Sequence, residues 1–219
     1  MKKLLAFTLA ETLIVMGVIG VVAALTLPNL NQSTGNKEKV AKVKKIYQNL
    51  NDAYGRAVAV YGPYDEWFTN DSTDDAKNKR VATRLIEFMK VVKDCGQNTS
   101  GCVTGNDTTK IYDIDGASYS LCTGKSYNYL LADGTSLMIR KGYIYFDIDG
   151  PNKGKHRGKN DIFGVYINEN QGINVGSPAL DGCLRHQDQI ACTSWVIHND
   201  NMDFLKCPDK LSETVTSCN

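Results

Sequence analysis

An α+β fold is predicted for this chain, with a long N-terminal helix packed on an antiparallel sheet head. Three observations predict it. Residues 7 to 30 are almost wholly apolar, apolar positions recur every third or fourth residue from Val40 to Tyr61, and from Tyr127 onward the period becomes that of strands. The composition is compatible with such a fold. With 219 residues, 42% hydrophobic and 22% charged, and 25 Lys+Arg against 24 Asp+Glu, a disordered chain is excluded. A mean hydropathy of -0.30 excludes a multi-pass membrane protein. A net charge of +1 gives no general reason to expect a nucleic-acid partner, and no clear nucleic-acid site is present.

The N-terminal element is justified by length. Positions 7 to 27 as a helix are about 31 Å long at 1.5 Å per residue, close to the hydrocarbon thickness of a bilayer. Three uses compete: a cleaved secretory signal, a permanent anchor, or a helix made for burial among copies of itself. Lys2 and Lys3 form a basic leader, and Val22-Ala23-Ala24 is an acceptable secretory cleavage site. Glu11 argues against simple export, because a carboxylate near the middle of an apolar helix costs about 2.5 to 3.5 kcal/mol and export gives no reason to keep it. A cut between Ala6 and Phe7 would put a new amino group four residues before Glu11, at helical neighbour spacing.

The run Ala6-Phe7-Thr8-Leu9-Ala10-Glu11-Thr12-Leu13-Ile14-Val15, with Pro28 after it, resembles the processing and assembly motif of type IV pilins and of type II secretion pseudopilins. The resemblance implies that a prepilin peptidase in the membrane cuts between Ala6 and Phe7 and methylates the Phe7 amine, leaving N-methylphenylalanine. It implies further that Glu11 pairs with the N-terminus of a neighbouring subunit as the helices bundle. Two positions depart from the usual pattern: Ala6 stands where Gly is usual, and Ala10 where Ile or Val is usual.

The chain then divides into residues 1-6, a prepilin leader; 7-30, a hydrophobic transmembrane and assembly helix; 31-61, its amphipathic continuation; and 62-219, a globular head containing disulfides. A bend is expected between Pro28 and Gly35. Lys37, Lys39, Lys42, Lys44 and Lys45 are read as a solvated helix face, with anionic lipid or an acidic groove on the next subunit as the other options. Their number would hold the flank in the cytoplasm by the positive-inside rule, but the leader and the cysteines both favour export.

Gly62-Pro63 ends the helix, and residues 65 to 78 are polar enough to be a loop around Trp67 and Phe68. Val81, Leu85, Phe88, Met89 and Val92 predict a second helix ending near Asp94. Strands are expected at 127 to 132, 135 to 140, 143 to 148 and 162 to 167. Asp133-Gly134 between two apolar runs is a hairpin signal. An antiparallel meander with the long helix across one face follows.

Seven cysteines all fall in the head. Without a Cys-x-x-Cys pair or a zinc-type His pattern, disulfides outrank metal or redox chemistry, and they favour an exported head. The simplest pairing joins sequence neighbours, Cys95 to Cys102, Cys183 to Cys192 and Cys207 to Cys218, with Cys122 a buried thiol. About a hundred other schemes stay open on sequence alone. The last pair also looks like the disulfide-bounded loop near the C-terminus of many type IV pilin heads.

Catalytic motifs are missing from the sequence, and the chain is read as a non-enzyme. One cluster suggests a hard cation. Asp147, Asp149 and Asn152, followed by Asn160 and Asp161, supply alternating oxygen side chains around Gly150, as calcium requires. The EF-hand pattern fails at its twelfth position, which is Gly158, and an ordinary Asx-rich turn is the competing reading. The resemblance adds that major pseudopilins of type II secretion hold calcium in a head loop.

The expected function is therefore a major or minor pilin, a structural subunit of a type IV pilus-like filament. Its expected partners are the prepilin peptidase, other copies or other pilins in a helical filament, an inner-membrane assembly platform, and the bilayer before assembly. The precursor would sit in the bacterial inner membrane as a single-pass protein, and the filament in the periplasm or at the cell surface with the head outside. The alternative is a single-pass or secreted extracellular binding module, calcium-binding or not, outside any filament.

Overall fold

The computed structural model of the chain describes residues 9–68, 73–97, 101–103, 111–112, 118–119, 126–140, 142–153, 160–184 and 188–218, with backbone only for 23–34, 111–112 and 118–119. These residues form an α+β protein with a six-stranded antiparallel sheet. The chain divides into two compact units, Met1–Glu38 and Lys39–Asn219.

The first helix, α1, runs over Leu9–Tyr61, 53 residues. It is helical through Pro28, although proline lacks the amide that the helix ladder uses. The expected bend between Pro28 and Gly35 falls where side chains lie outside the described residues. Among the described residues no helix is long and apolar enough to cross a membrane. The expected span of 7 to 30 includes Phe7, Thr8 and side chains that are not among them.

Within the second unit, Val40, Val43, Ile46, Leu50, Ala53 and Ala57 of α1 are buried. Their spacing of three and four residues puts them on one stripe. They share a core with Leu137, Ile139, Ile144, Phe146, Phe163 and Val165 from the sheet. At the helix end Gly62 turns left-handed (φ 81°), its amide donates to the Val58 carbonyl at 3.0 Å, and Pro63 prevents continuation.

The stretch expected as a polar loop is more ordered than that. Tyr64–Phe68 is a 3-10 turn in which Tyr64 and Trp67 are buried. The Trp67 indole donates to the Gly62 carbonyl at 2.9 Å. Tyr64 meets Trp67 and Phe68 edge-on at 5.3 and 5.0 Å, and burial pushes its hydroxyl up to about 12. Of the expected loop, residues 65 to 68 lie in this turn and 74 to 78 in the helix that follows, while residues 69 to 72 lie outside the described residues.

Helix α2 spans Asp74–Ile86, with Thr73 accepting from the Ala76 amide at 3.2 Å as N-cap. It does not continue to Asp94. Val91–Gly96 is strand β1, antiparallel to the strand that begins at Tyr127, with two register irregularities. Phe88 and Met89 lie in the intervening turn and pack on the core, so their helix-like spacing arises from two different elements.

A two-stranded pair follows, β2 Ile111–Tyr112 with β3 Ser118–Tyr119. The expected meander comes next as β4 Tyr127–Leu131, β5 Ser136–Arg140, β6 Tyr143–Asp147 and β7 Ile162–Asn168, joined by β8 Gly172–Asn174. The sheet order is β1-β4-β5-β6-β7-β8. At the β4–β5 turn Gly134 is left-handed (φ 87°), and the Thr135 amide donates to the Asp133 carboxylate at 3.2 Å.

Alternation along the strands gives the sheet two unlike faces. One contributes Tyr129, Leu137, Ile139, Ile144 and Phe146 to the core shared with α1. The other carries a smaller cluster in which Met138 and Ile162 pack with Cys102 and Val103, backed by Leu130 and Tyr145. Two further helices close the fold, α3 Leu180–Leu184 and α4 Gln189–Asn199, and neither was expected from the sequence. Asp188 caps α4 by accepting from the Ala191 amide at 2.9 Å.

Candidate functional site

Three disulfides hold the head: Cys95 to Cys102, Cys183 to Cys192 and Cys207 to Cys218. Each joins sequence neighbours. The first lies in the smaller cluster on the outer sheet face, and the second ties α3 to α4 with both cysteines fully buried. At the third, the Cys218 amide donates to the Asp203 carboxylate at 2.8 Å, which fastens the C-terminal segment. Cys122 lies outside the described residues.

The lysines of α1 are not simply solvated. Lys39 Nζ donates to Asn160 Oδ1 and to Asp161 Oδ1, both at 2.8 Å. Lys42 pairs with Asp149 at 3.3 Å, Lys44 with Asp200 at 2.7 Å and Lys45 with Asp133 at 2.9 Å. The face expected to be solvated remains exposed at Lys37 and Lys45, yet four of its lysines also meet carboxylates of the same chain, three in turns of the meander and one, Asp200, at the end of α4. Those carboxylates lie 88 to 156 residues away in sequence, so local pattern could not reveal the pairing. The four pairs differ in weight. The Asp161 side chain is only 4% exposed and that of its lysine 21%, whereas the Asp200 side chain is 72% exposed. Exposed pairs contribute about 0 to 1 kcal/mol, whereas a buried carboxylate left without its partner is costly.

At Asp133, burial pushes the carboxyl up, but the Lys45 hydrogen bond, the Thr135 amide and hydroxyl and the Lys45 charge together outweigh burial. They hold the group below its ordinary value of 3.8.

Of the candidate calcium residues, Asp149, Asn160 and Asp161 thus meet ammonium groups. Asp147, fully buried, accepts from the Asp149 and Gly150 amides at 3.0 and 3.1 Å, an Asx turn. Gly150 is left-handed (φ 74°), and a Cβ there would overlap the Gly134 carbonyl oxygen. The Ile148 amide donates to the Asp161 carbonyl at 2.9 Å, which closes the loop at its base. Asn152 is exposed and takes no part in the lysine contacts. Among the described residues no group of three or more His, Cys, Asp and Glu side chains is arranged to hold a metal.

In the first unit the side chains of α1 from Leu9 to Val22 are exposed. Leu9, Leu13, Ile14, Val15, Met16, Val18, Ile19, Val21 and Val22 range from 53% to 80% exposed. Leu13 to Met16 are consecutive, and at about 100° per residue they point to every side of the helix. Glu11 lies in the same stretch and is exposed. Ala6 and Phe7, the expected processing site, lie outside the described residues.

A groove of about 500 Å³ runs between α1 and the turn before β1. Lys45, Arg56 and Lys90 flank Phe88 and Met89 there, with Lys45 bonded to Asp133 and Arg56 to Asp52 at 3.1 Å. Of the histidines only His198 is described. Its ring nitrogen Nδ1 lies 2.8 Å from the Ser194 carbonyl one turn earlier in α4.

No family model matches the chain, and neither a curated protein nor a solved structure does.

Proposed function

We propose that the chain is a pilin-like filament subunit, stored in a membrane as a precursor, cut by a prepilin peptidase between Ala6 and Phe7, and assembled through α1. The observation that carries this reading is the all-round exposure of apolar side chains from Leu9 to Val22. A helix packed on a globular core buries one stripe, whereas one apolar on every side is suited to a surrounding of lipid or of similar helices. This stretch is about 21 Å long at 1.5 Å per residue, and the residues that extend it toward bilayer thickness are read from the sequence alone.

The motif from Ala6 to Val15 narrows the surrounding to copies of itself or other pilins. An exposed Glu11 among apolar side chains is costly in lipid, and a charged terminus on a neighbouring helix would lower that cost and fix axial register. The disulfides support a head outside the cytoplasm. Delivery to an inner-membrane assembly platform completes the reading.

The test is the mass of the N-terminal peptide of the protein from its native membrane. N-methyl-Phe7 is expected. A chain beginning at Met1, or just after Ala24, would remove the filament reading and leave an anchored or secreted module.

A further inference from the structure

The loop from β6 to β7 is where the sequence pattern and the contacts of the folded chain disagree. The oxygen-rich pattern of Asp147, Asp149, Asn152, Asn160 and Asp161 points to calcium, yet α1 sends two ammonium groups into that oxygen set. Lys39 Nζ is 2.8 Å from Asn160 Oδ1 and 2.8 Å from Asp161 Oδ1, and Lys42 Nζ is 3.3 Å from Asp149 Oδ1. One Asp147 oxygen is already engaged with two backbone amides of the turn. A divalent cation bridging Asp149 and Asp161 would face both lysines at short range with like charge. It would also have to displace Lys39 from two bonds at once.

We infer that this loop is organised by Lys39 and Lys42 in place of a metal ion, so that the head carries its own cation and folds without calcium. The Lys39 stem extends from a helix whose next residue, Val40, is in the core, which fixes the position of the ammonium group as a bound ion's would be fixed. Helix α1 thereby takes over the task a cation performs in a calcium loop, holding both ends of the β6–β7 connection together. The inference concerns the second unit alone and stands whether or not α1 assembles into a filament.

The experiment is thermal unfolding of the full chain in detergent, in EGTA and in millimolar calcium chloride, with terbium luminescence as a direct probe of cation binding. Expected are equal midpoints within about 1 °C and no saturable terbium emission. Lys39→Met should lower the midpoint by about 5 °C or more, because it leaves the Asp161 carboxylate buried and unpartnered. Lys39→Arg should retain most of the stability. Should Lys39→Met not fold, Lys39→Gln, which keeps a donor without the charge, takes its place with the same expected fall. A calcium-dependent rise in the wild-type midpoint, terbium emission saturating at one ion per chain, or a charge-removing Lys39 variant as stable as wild type would each overturn the inference.

Discussion

The Gly164 amide donates to the Thr193 hydroxyl at 3.0 Å, joining strand β7 to helix α4. Strand β8 pairs with β7 only from Tyr166 to Asn168, so this amide has no strand partner on that side. Thr193 completes its own bonding by donating to the Gln189 carbonyl at 2.8 Å. Thr193→Val keeps the shape and removes the acceptor, so it should cost about 1 to 3 kcal/mol in denaturant unfolding. Thr193→Ser should recover most of that loss.

Gly164 is required here for space. A Cβ would lie 3.0 Å from a Tyr145 ring carbon and 3.1 Å from Ile190 Cγ1. Gly164→Ala should therefore destabilise by about 1 to 3 kcal/mol through overpacking. A variant as stable as wild type would show that α4 can move outward at no cost.

A carboxyl whose folded pKa is below its unfolded value stabilises the fold above the unfolded value and loses that contribution as pH falls through the folded one. Asp133 is such a group, so its contribution is complete above about pH 4 and disappears on further acidification. In Lys45→Gln the Asp133 titration followed by carbon NMR should move upward. An unchanged midpoint would mean that the Thr135 contacts alone hold the shift.

Replacing both Cys183 and Cys192 by alanine should cost about 2 to 3 kcal/mol, since the bridge closes a short loop between two buried sulfurs. Equilibrium unfolding without reductant is the measurement. The bridge at Cys95 and Cys102 belongs to the smaller cluster, so its loss should leave the circular dichroism of α1 and α4 unchanged.

On the filament reading proposed above, Glu11→Ala should insert into the membrane and be processed, yet assemble poorly. Shearing filaments from cells and comparing them with the cell-bound pool measures this. Normal filament yield would remove Glu11 from the assembly account.

What was legible in the sequence was periodic and local. Val40 to Ala57 repeats at helical spacing because one face is buried, and β4 to β7 alternate because each strand has a core side and an outer side. Strand β1 was not legible, since Leu85, Phe88, Met89 and Val92 have helical spacing by coincidence and its partner β4 is distant in sequence. Helix α4 was missed because Gln189, Thr193 and Ser194 are polar yet buried, the two hydroxyls donating to the Gln189 and Gly176 carbonyls inside the fold. Asp188, three residues before the amide it caps, was the one sequence signal available for it. The lysine contacts had no local signal at all.

The shared core of α1 and the meander also sets an order for biosynthesis. Ile46 and Leu50 emerge from the ribosome about a hundred residues before Phe146 and Phe163, which cover them. At about 5 to 20 residues per second, that apolar stripe waits on the order of 5 to 20 seconds for its partners. The disulfides cannot shorten the wait, because each closes only within its own neighbourhood, over sequence separations of 7, 9 and 11 residues. Until the last long strand is made, Ile46 and Leu50 have no sheet to cover them.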